Sequence, residues 1–334
     1  MVRTDLWIDA ILIITLALVI DAVIGEVPNA IHPLRWMGNI LYLLDRHIRR
    51  GNPTMTKIKG FLSYLLVFLI FGGIAFIILA AVHRYLGEIA WIIVTALFFK
   101  VVFAVFSFRR HCKPIQKDLR NGDTEAAAAK VQMIVSRNTK GMDAEHIASS
   151  CTETISENYV DSVVSPVTYL GLLGMIGGIM FRCANLMDAM WGYRNEKYSD
   201  LGFFPAKFDD VLGFITSRIS PIFIALGALL MGMDWKRAVP AAIEEHTKTP
   251  SPNSGWPMTA FAAVLQISME KKGVYIMGKG DLPTVDDIGR CYRLLELSSI
   301  LYILIVTLPL YIFIGIHIQT GIEDLLISVT EGLF

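Results

Sequence analysis

The sequence has few charged residues. Asp, Glu, Lys and Arg make up 18% of its 334 residues, whereas soluble domains usually carry about 25%. Hydrophobic residues make up 54%, and the mean hydropathy is +0.53. This composition excludes an ordinary soluble domain and predicts an all-α polytopic membrane protein.

The sequence also lacks net charge, paired cysteines and internal repeats. The basic residues balance the acidic ones and are scattered, which argues against a nucleic-acid partner. The four cysteines are too far apart for a zinc motif or a disulfide framework. The N-terminal apolar run has no small-residue cleavage pattern after it, so we expect it to be retained. A single integral membrane domain over residues 1–334 is predicted.

Long apolar runs are what the sequence does contain. A membrane-spanning helix needs about 20 mostly apolar residues, and four runs meet this length cleanly: 7–24, 61–82, 89–107 and 298–318. Two further runs are interrupted. The run 162–181 holds Pro166 and several glycines, and the run 211–233 holds Arg218 and Pro221. Proline kinks a helix, so both are predicted to be broken or re-entrant.

The basic residues predict the topology of these runs. They concentrate in 25–60, 108–160 and 234–297, which places these segments in the cytoplasm and both termini outside. If the two interrupted runs also spanned, 182–210 would lie outside, a bilayer away from the acids at 157 and 161. We therefore favour four spans with a cytoplasmic active site, and six spans remain the alternative.

Residues 108–160 are predicted to form a cytoplasmic helical hairpin inserted into the membrane domain. The stretches "KPIQKDLR" and "TEAAAAKVQMIVSR" are helical in composition. The pair Asn121-Gly122 between them predicts a turn, with Asp123 or Thr124 as the helix N-cap.

Four polar clusters are candidates for chemistry. The first, "GEVPNAIHPLRWMGN", follows the first span and contains His32 and Arg35. Arginine's planar fork suits phosphate oxygens, so the pair could bind a substrate phosphate. An interfacial turn whose arginine pairs with lipid phosphate is an equally good interpretation.

The second cluster contains Glu157, Asn158 and Asp161. On an α-helix, positions 157 and 161 share one face. Two carboxylates with an adjacent amide can hold Mg²⁺ together with substrate phosphates. The alternative is an acidic cap on the following apolar helix, favoured by the helix dipole.

The third cluster runs from Asn185 and Asp188, one helical turn apart, to the pair Asp209-Asp210. Arg218 follows inside the next apolar run, where a charge is costly unless it pairs with an acid or a phosphate. Solvated loop acids would not explain this arginine. The cluster therefore indicates Mg²⁺-dependent phosphate chemistry.

The fourth cluster is the turn "SPNSGWP" at 251–257. Ser251, Asn253 and the backbone amides near Gly255 could form an anion-binding nest. This signal is weak, because a plain surface turn has much the same composition.

Together and in this order, these clusters resemble the CobD/CbiB family of integral membrane proteins, adenosylcobinamide-phosphate synthases of cobalamin biosynthesis. The matching pieces are "HPLRWMGN" at 32–39, "SRNT" at 136–139, "ENYVDSVVSP" at 157–166, "NLMDAMWGYRNEKYSDLGFFPAKFDD" at 185–210 and "SPNSGWP" at 251–257. They extend over most of the chain. One departure is Gly25-Glu26-Val27, where the family usually has Gly-Asp-Pro.

The resemblance implies an amide-forming ligase that uses ATP and Mg²⁺ at the cytoplasmic face of the cell membrane. It would join adenosylcobyric acid to an aminoalcohol phosphate. The amine substrate could be aminopropanol phosphate, threonine phosphate or an ethanolamine analogue, and a second copy of the chain is a further candidate partner. The roles it suggests are these: Mg²⁺ at Glu157, Asp161 and Asp188; a base at Asp209 or Asp210; and phosphate or substrate binding at His32, Arg35, Asn158, Asn185, Tyr193, Arg218, Ser251 and Asn253.

Two other functions compete with this one. Intramembrane prenyltransferases also use Asp-rich clusters with Mg²⁺-diphosphate, but they have more spans and two similar Asp motifs. A transporter could use the runs 162–181 and 211–233 as broken helices meeting at mid-membrane. Against it, the acids lie at the edges of these runs, and no inverted repeat is present.

Overall fold

The computed structural model describes residues 5–331 and is almost entirely helical, which confirms the predicted all-α class. Its α-helices are α1 (Leu6–Val23), α2 (Pro33–His47), α3 (Pro53–Leu86), α4 (Glu88–Val102), α5 (Ser107–Arg120), α6 (Thr124–Val131), α7 (Ala144–Tyr159), α8 (Ser165–Leu173), α9 (Met175–Trp191), α10 (Phe203–Leu230), α11 (Ala238–Glu245), α12 (Gly255–Leu265), α13 (Val285–Tyr302), α14 (Leu308–Leu310) and α15 (Ile316–Glu331).

Shorter elements complete the described part of the chain. The π-helical turns are Val160–Val164, Ile303–Thr307 and Tyr311–Gly315, and the 3₁₀ turns are Asn29–Ile31, Trp235–Arg237 and His246–Lys248. An antiparallel hairpin of β1 (Met269–Lys271) and β2 (Tyr275–Met277) pairs Met269 with Met277.

The chain groups into two compact units. Unit 1 contains the residues up to Ala104, Pro166–Leu212 and the residues from Leu304 onward. Unit 2 contains Val105–Ser165 and Gly213–Ile303. The single membrane domain over 1–334 and the insertion at 108–160 stay predictions.

Within residues 5–331, four helical stretches are long and apolar enough to cross a membrane. They are α1, α3, α10 and the continuous stretch Val285–Val329, with α4 and α5 as one further, bent candidate. Three of the predicted spans, 7–24, 61–82 and 298–318, correspond to α1, α3 and the C-terminal stretch. The fourth, 89–107, is shorter than predicted, because α4 ends at Val102 and extended backbone begins at Phe103.

The break predicted in 162–181 is confirmed. Helix α8 ends at Leu173, and Gly174 adopts a left-handed φ of 66° before α9 begins. A β-carbon at Gly174 would lie 2.7 Å from Cβ of Gln319, so both the backbone angle and the packing require glycine here. The Met175 amide donates to Gln319 Oε1 at 3.2 Å, which anchors the start of α9.

The break predicted in 211–233 is wrong, because α10 continues for 28 residues through Pro221. Proline cannot donate to the carbonyl of residue 217, four positions earlier. The Ser220 hydroxyl donates to that Ser217 oxygen instead, at 2.7 Å. A neighbouring side chain therefore satisfies the acceptor that the proline leaves open.

In unit 2, α5 and α6 pack against each other across the turn at Asn121-Gly122, and α6 ends at Val131, earlier than the predicted helical stretch 124–137. Gly122 has a φ of 78° in the turn, and Asp123 caps α6 by accepting from the Ala126 amide at 2.9 Å. Helix α7 packs against α13, α12 and the β-hairpin. The sequence analysis did not predict the β-hairpin of β1 and β2, because three-residue strands carry almost no periodic signal.

Candidate functional site

The predicted site residues fall into two groups, one in each unit, and each group is described by itself. Unit 1 holds His32, Arg35, Asn185, Asp188, Tyr193, Asp209 and Asp210. Unit 2 holds Glu157, Asn158, Asp161, Arg218, Ser251 and Asn253.

His32 begins α2 as its N-cap. Its Nδ1 accepts from the Leu34 amide at 3.2 Å, and Pro33 at the first helical position preorganises the turn. Partial burial and the nearby charges of Lys100 and Arg182 lower the pKa of His32. The imidazole is therefore neutral at neutral pH, and its Nδ1 is occupied by the cap. Arg35 is exposed on the first turn of α2.

Two buried cations beside this group were missed by the sequence analysis. Lys100 on α4 pairs with Asp21 on α1 at 2.8 Å, with both side chains almost fully buried. Arg182 on α9 donates to the Val102 carbonyl and, at 3.4 Å, to Oδ1 of Asn185. Their signal was a single charge inside an apolar stretch, the same signal that drew attention to Arg218.

The acids of unit 1 lie at the end of α9 and the start of α10. Burial, together with the nearby charge of Asp210, raises the pKa of Asp188 to about 6. Asp210 pairs with Lys207 at 3.2 Å, and Asp209 is half-buried. A carboxylate whose pKa is raised by a neighbouring acid is stabilised by an added cation, which makes Asp188 a fitting ligand for Mg²⁺.

Tyr193 is the second residue of the loop 192–202 and is 57% exposed. The loop is tied to the end of α2, because Lys197 Nζ lies 2.9 Å from Asp45 and the Tyr198 hydroxyl donates to the same carboxylate at 3.2 Å. Gly202 packs against the Trp191 carbonyl so closely that a β-carbon would lie 1.8 Å away. This rigid loop presents the Tyr193 ring at the surface.

In unit 2, the helix changes from α to π between Glu157 and Asp161. The π-helical turn begins at Val160, so the α-helical spacing that placed both carboxylates on one face does not hold there. Asn158 donates to the Thr154 carbonyl at 3.0 Å and accepts from Ser162 at 3.1 Å. Single π-helical turns of this kind are frequent at functional sites.

Glu157 lies beside an ionic cluster that includes the "SRNT" stretch. Arg137 forms an ion pair with the buried Glu153. Although solvent reaches Glu157, dense surrounding protein raises its pKa, and the charges of Lys271 and Arg137 oppose this effect. Tertiary structure alone brings the hairpin residue Lys271 to α7, so the sequence analysis did not include it.

Arg218 contacts the turn 251–257 in the folded protein. The sequence alone did not predict this contact. Arg218 Nη1 donates to the Phe214 carbonyl at 2.8 Å and to Asn253 Oδ1 at 3.3 Å. The guanidinium carbon lies 3.5 Å from the Phe214 ring centre and 5.2 Å from that of Trp256. Within residues 5–331, no carboxylate lies within 4 Å of this arginine. Two rings and an amide therefore hold the cation in place.

Ser251 holds the turn itself. Its hydroxyl oxygen accepts from the amides of Asn253 and Ser254 at 3.2 and 3.4 Å. These two amides are thus already satisfied, which differs from the free amides expected of an anion nest. The phosphate-binding role of Ser251 stays a prediction.

In the part of the chain that the structure describes, no three His, Cys, Asp or Glu side chains are grouped closely enough to bind a metal ion by themselves. Mg²⁺ often needs only one or two protein carboxylates, because substrate phosphates and water supply its other ligands. The Mg²⁺ roles of Glu157, Asp161 and Asp188 therefore stay predictions.

Comparison with known proteins agrees with the family resemblance. A family model described as CobD/Cbib protein matches residues 14–301. "Probable cobalamin biosynthesis protein CobD" of Methanococcus aeolicus is 37% identical over 281 residues, which cover 81% of this chain and 88% of the relative. The protein of the same name from Methanocaldococcus jannaschii is 33% identical over 89% of this chain and 97% of the relative.

A relative from a further organism matches a similar share of the chain. "Cobalamin biosynthesis protein CobD" of Dehalococcoides mccartyi is 32% identical over 85% of this chain and 91% of its own length. No solved structure matches the chain. The length of the family match and the level of identity show that this chain belongs to the CobD/CbiB family of membrane proteins.

Proposed function

We propose that this protein acts in cobalamin biosynthesis as an ATP- and Mg²⁺-dependent amide ligase. It would join adenosylcobyric acid to an aminoalcohol phosphate, and with aminopropanol phosphate the product is adenosylcobinamide phosphate. The names of the relatives support a role in cobalamin biosynthesis. The ligase chemistry and a site facing the cytoplasm at the cell membrane are part of the proposal.

The observation that carries the proposal is the state of Arg218. Arg218 lies among the apolar residues of α10, and within residues 5–331 no carboxylate lies within 4 Å of it. Asn253 and Phe214 nevertheless hold the guanidinium in one orientation. An arginine fixed in this way suits a phosphate, whose oxygens match its planar fork.

The reaction needs an activated acid. A carboxylate oxygen of the corrinoid attacks a phosphorus of ATP and expels ADP, giving an acyl phosphate. Attack at the α-phosphorus would instead expel pyrophosphate and give an acyl adenylate. The amine nitrogen then attacks the acyl carbon, a proton passes to a base, and phosphate or AMP leaves. Arg218 would stabilise the charge that develops on the phosphate.

The remaining roles follow the same chemistry. Bound Mg²⁺ would neutralise phosphate charge. Asp188 is a proposed Mg²⁺ ligand in unit 1, and Glu157 and Asp161 are proposed Mg²⁺ ligands in unit 2, each unit being considered by itself. A carboxylate oxygen of Asp209 or Asp210 is the proposed proton acceptor for the amine. His32, Arg35, Asn158, Asn185, Tyr193, Ser251 and Asn253 keep their proposed substrate-binding roles.

The test is a reaction with the purified full-length protein in nanodiscs. The mixture contains ATP, Mg²⁺, adenosylcobyric acid and aminopropanol phosphate, and the products are identified by mass spectrometry. We expect the mass of the amide product, and ATP consumption that requires both the acid and the amine. ATP consumption that continues when adenosylcobyric acid or aminopropanol phosphate is left out would contradict the proposal. So would the absence of the amide product when all components are present. The same spectra distinguish ADP from AMP.

A further inference from the structure

Two adjoining cavities in unit 2 are lined by basic residues that the proposed reaction does not use. The larger has a volume of about 780 Å³ and the other about 580 Å³. Both are lined by Arg290 and Arg293 of α13, so the two cavities adjoin and are treated together as one surface beside α5. We call this the α5–α13 groove, defined by Arg109, Lys113, Lys117, Arg120, Arg290 and Arg293.

The α5–α13 groove is basic because of the helical spacing of its residues. The four cations on α5 are separated by three or four positions, so they project as one stripe along the helix. The opposite face of α5 is buried, with Cys112 and Ile115 fully covered. On α13, Arg290 and Arg293 are also one turn apart. Six cations line the groove against three carboxylates, so its net charge is positive.

Only part of this positive charge is neutralised. Arg109 pairs with the buried Glu296, Arg120 with Asp286 at 2.7 Å, and Arg290 with Asp287 at 2.8 Å.

The other three cations of the groove have no such partner. Within residues 5–331, no carboxylate lies within 4 Å of Lys113, Lys117 or Arg293. Arg293 Nε donates to the Gly289 carbonyl at 3.0 Å, which orients its guanidinium. These three cations are therefore available to a ligand.

The larger cavity also has an apolar side. The end of α10 turns at Gly232, whose φ is 69°, and this turn brings Met231 and Met233 to the cavity wall. Val264, Leu297 and Ile300 extend the apolar wall. A wall that is apolar on one side and rich in arginine on the other is suited to a ligand with an anionic group and an apolar portion.

We propose that the α5–α13 groove binds a phosphate-bearing amphiphile. The phosphate would lie against Arg293 and Lys113, because arginine and phosphate form parallel charge-assisted hydrogen bonds. Its apolar portion would lie against Leu297 and Ile300. A nucleotide and an anionic lipid share this chemistry. The proposal does not depend on the ligase reaction, since the groove contains none of the residues assigned to that reaction.

The first experiment uses the unaltered full-length protein. Phenylglyoxal modifies accessible arginines, and peptide mass spectrometry gives the rate at Arg293, with exposed Arg46 as the reference. The probes are inorganic phosphate, ATP without metal, and nanodiscs of phosphatidylcholine with or without phosphatidylglycerol. We expect one class of probe to slow modification of Arg293 at least fivefold while Arg46 is unchanged. Protection by phosphate or ATP identifies a free phosphate compound, and protection by phosphatidylglycerol identifies a lipid.

The second experiment tests the charges. Lys113→Gln with Arg293→Gln removes two cations without leaving a carboxylate unpaired, so folding should be preserved. The exposed Lys272→Gln in the β-hairpin turn is the matched control. The protecting probe should raise the Tm of the wild type and of Lys272→Gln, but not that of the double variant. The proposal is overturned if no probe protects Arg293, or if the probe stabilises the double variant as it does the wild type.

Discussion

At the scale of single residues, the surroundings of Asp188 disfavour its charged form. Its pKa in the folded protein is about 6, against 3.8 for an ordinary aspartate. Because the folded protein binds this proton more tightly than the unfolded chain, stability falls as the pH rises from about 4 to about 6. Above that range the full cost of the buried charge is present.

We expect Asp188→Asn to raise the stability of the protein and to lower its activity. At pH 7.5 the variant should be more stable than the wild type by about 1–3 kcal/mol, since the costly charge is absent. Its activity should fall at least ~10²-fold, because an electrostatic element of the reaction is removed. Thermal unfolding and turnover are measured on the same preparation.

The control for Asp188 is Asp200→Asn, an acid on the neighbouring loop that pairs with Lys57 at 3.7 Å. It should change neither property. Mg²⁺ should raise the Tm of the wild type but not of Asp188→Asn. Near-normal turnover of Asp188→Asn at saturating Mg²⁺ would show that this acid is structural.

Arg218 is the second residue with a specific prediction. Arg218→Lys keeps the charge but loses the planar fork, so we expect KM for one phosphate substrate to rise about tenfold with expression intact. Arg218→Met should lose at least ~10²-fold in kcat/KM. Arg46, which lies 5.8 Å from the Tyr42 ring centre, is a matched stacked arginine outside both groups. If Arg218→Met turns over normally, as Arg46→Met should, then Arg218 serves only packing.

At the scale of elements, α10 continues through Pro221, so the rule that proline breaks a helix does not hold for this helix. Pro221 correctly marks a missing backbone donor, but not a break. Whether a helix continues through proline depends on what satisfies the freed carbonyl, and here that group is the hydroxyl of the preceding residue. Gly174 is the opposite case, because a left-handed glycine between two apolar stretches is a local feature that ends a helix in most settings.

We expect Ser220→Ala to destabilise the protein by about 1–3 kcal/mol, because the buried Ser217 carbonyl loses its donor. Adding Pro221→Ala restores a backbone N–H in position to donate to the same oxygen. The double variant should therefore regain at least about 1 kcal/mol over Ser220→Ala. Unfolding of the purified protein by denaturant measures both changes.

Ser328→Ala is the control for this cycle. Ser328 makes the same bond to a carbonyl three residues earlier, at 2.8 Å, but it is exposed and no proline follows it. Its loss should cost less than about 0.5 kcal/mol. If Ser220→Ala and Ser328→Ala lower the free energy of unfolding equally, the Ser220 hydroxyl does not replace the donor that Pro221 lacks.

At the scale of the whole molecule, the question is which apolar helices cross the bilayer. Helix α10 is long enough, yet 61% of its most apolar 18 residues are buried within the protein, against 33% for α1 and for α3. A helix covered by protein need not face lipid. Lys197 contacts Asp45, so the loop before α10 lies on the same side as the basic segment 25–60. We therefore favour the prediction that α10 does not span the membrane.

Cysteine labelling tests this topology. The native cysteines are buried and are replaced by alanine. Glu196→Cys and Pro252→Cys, before and after α10, should react with an impermeant thiol reagent only after permeabilisation. Tyr85→Cys, in the last turn of α3, should react in intact cells. Reaction of Pro252→Cys but not Glu196→Cys in intact cells would mean that α10 spans the membrane. Reaction of Glu196→Cys in intact cells would overturn the assignment of the loop.

The sequence by itself determined the class of the fold, most of its long helices and the polar stretches that identify the family. These depend on local composition, helical periodicity and turn chemistry, which need no knowledge of distant contacts. The Asp123 cap and the Gly174 break are of this kind.

Only the tertiary structure decided which polar groups meet. It brought Asn253 to Arg218, buried Lys100 beside Asp21, and placed α5 along α13 so that their cations share one groove. These contacts join residues up to 187 positions apart, as in the pair of Arg109 with Glu296. No local pattern encodes such pairs, because each is a consequence of how whole helices pack.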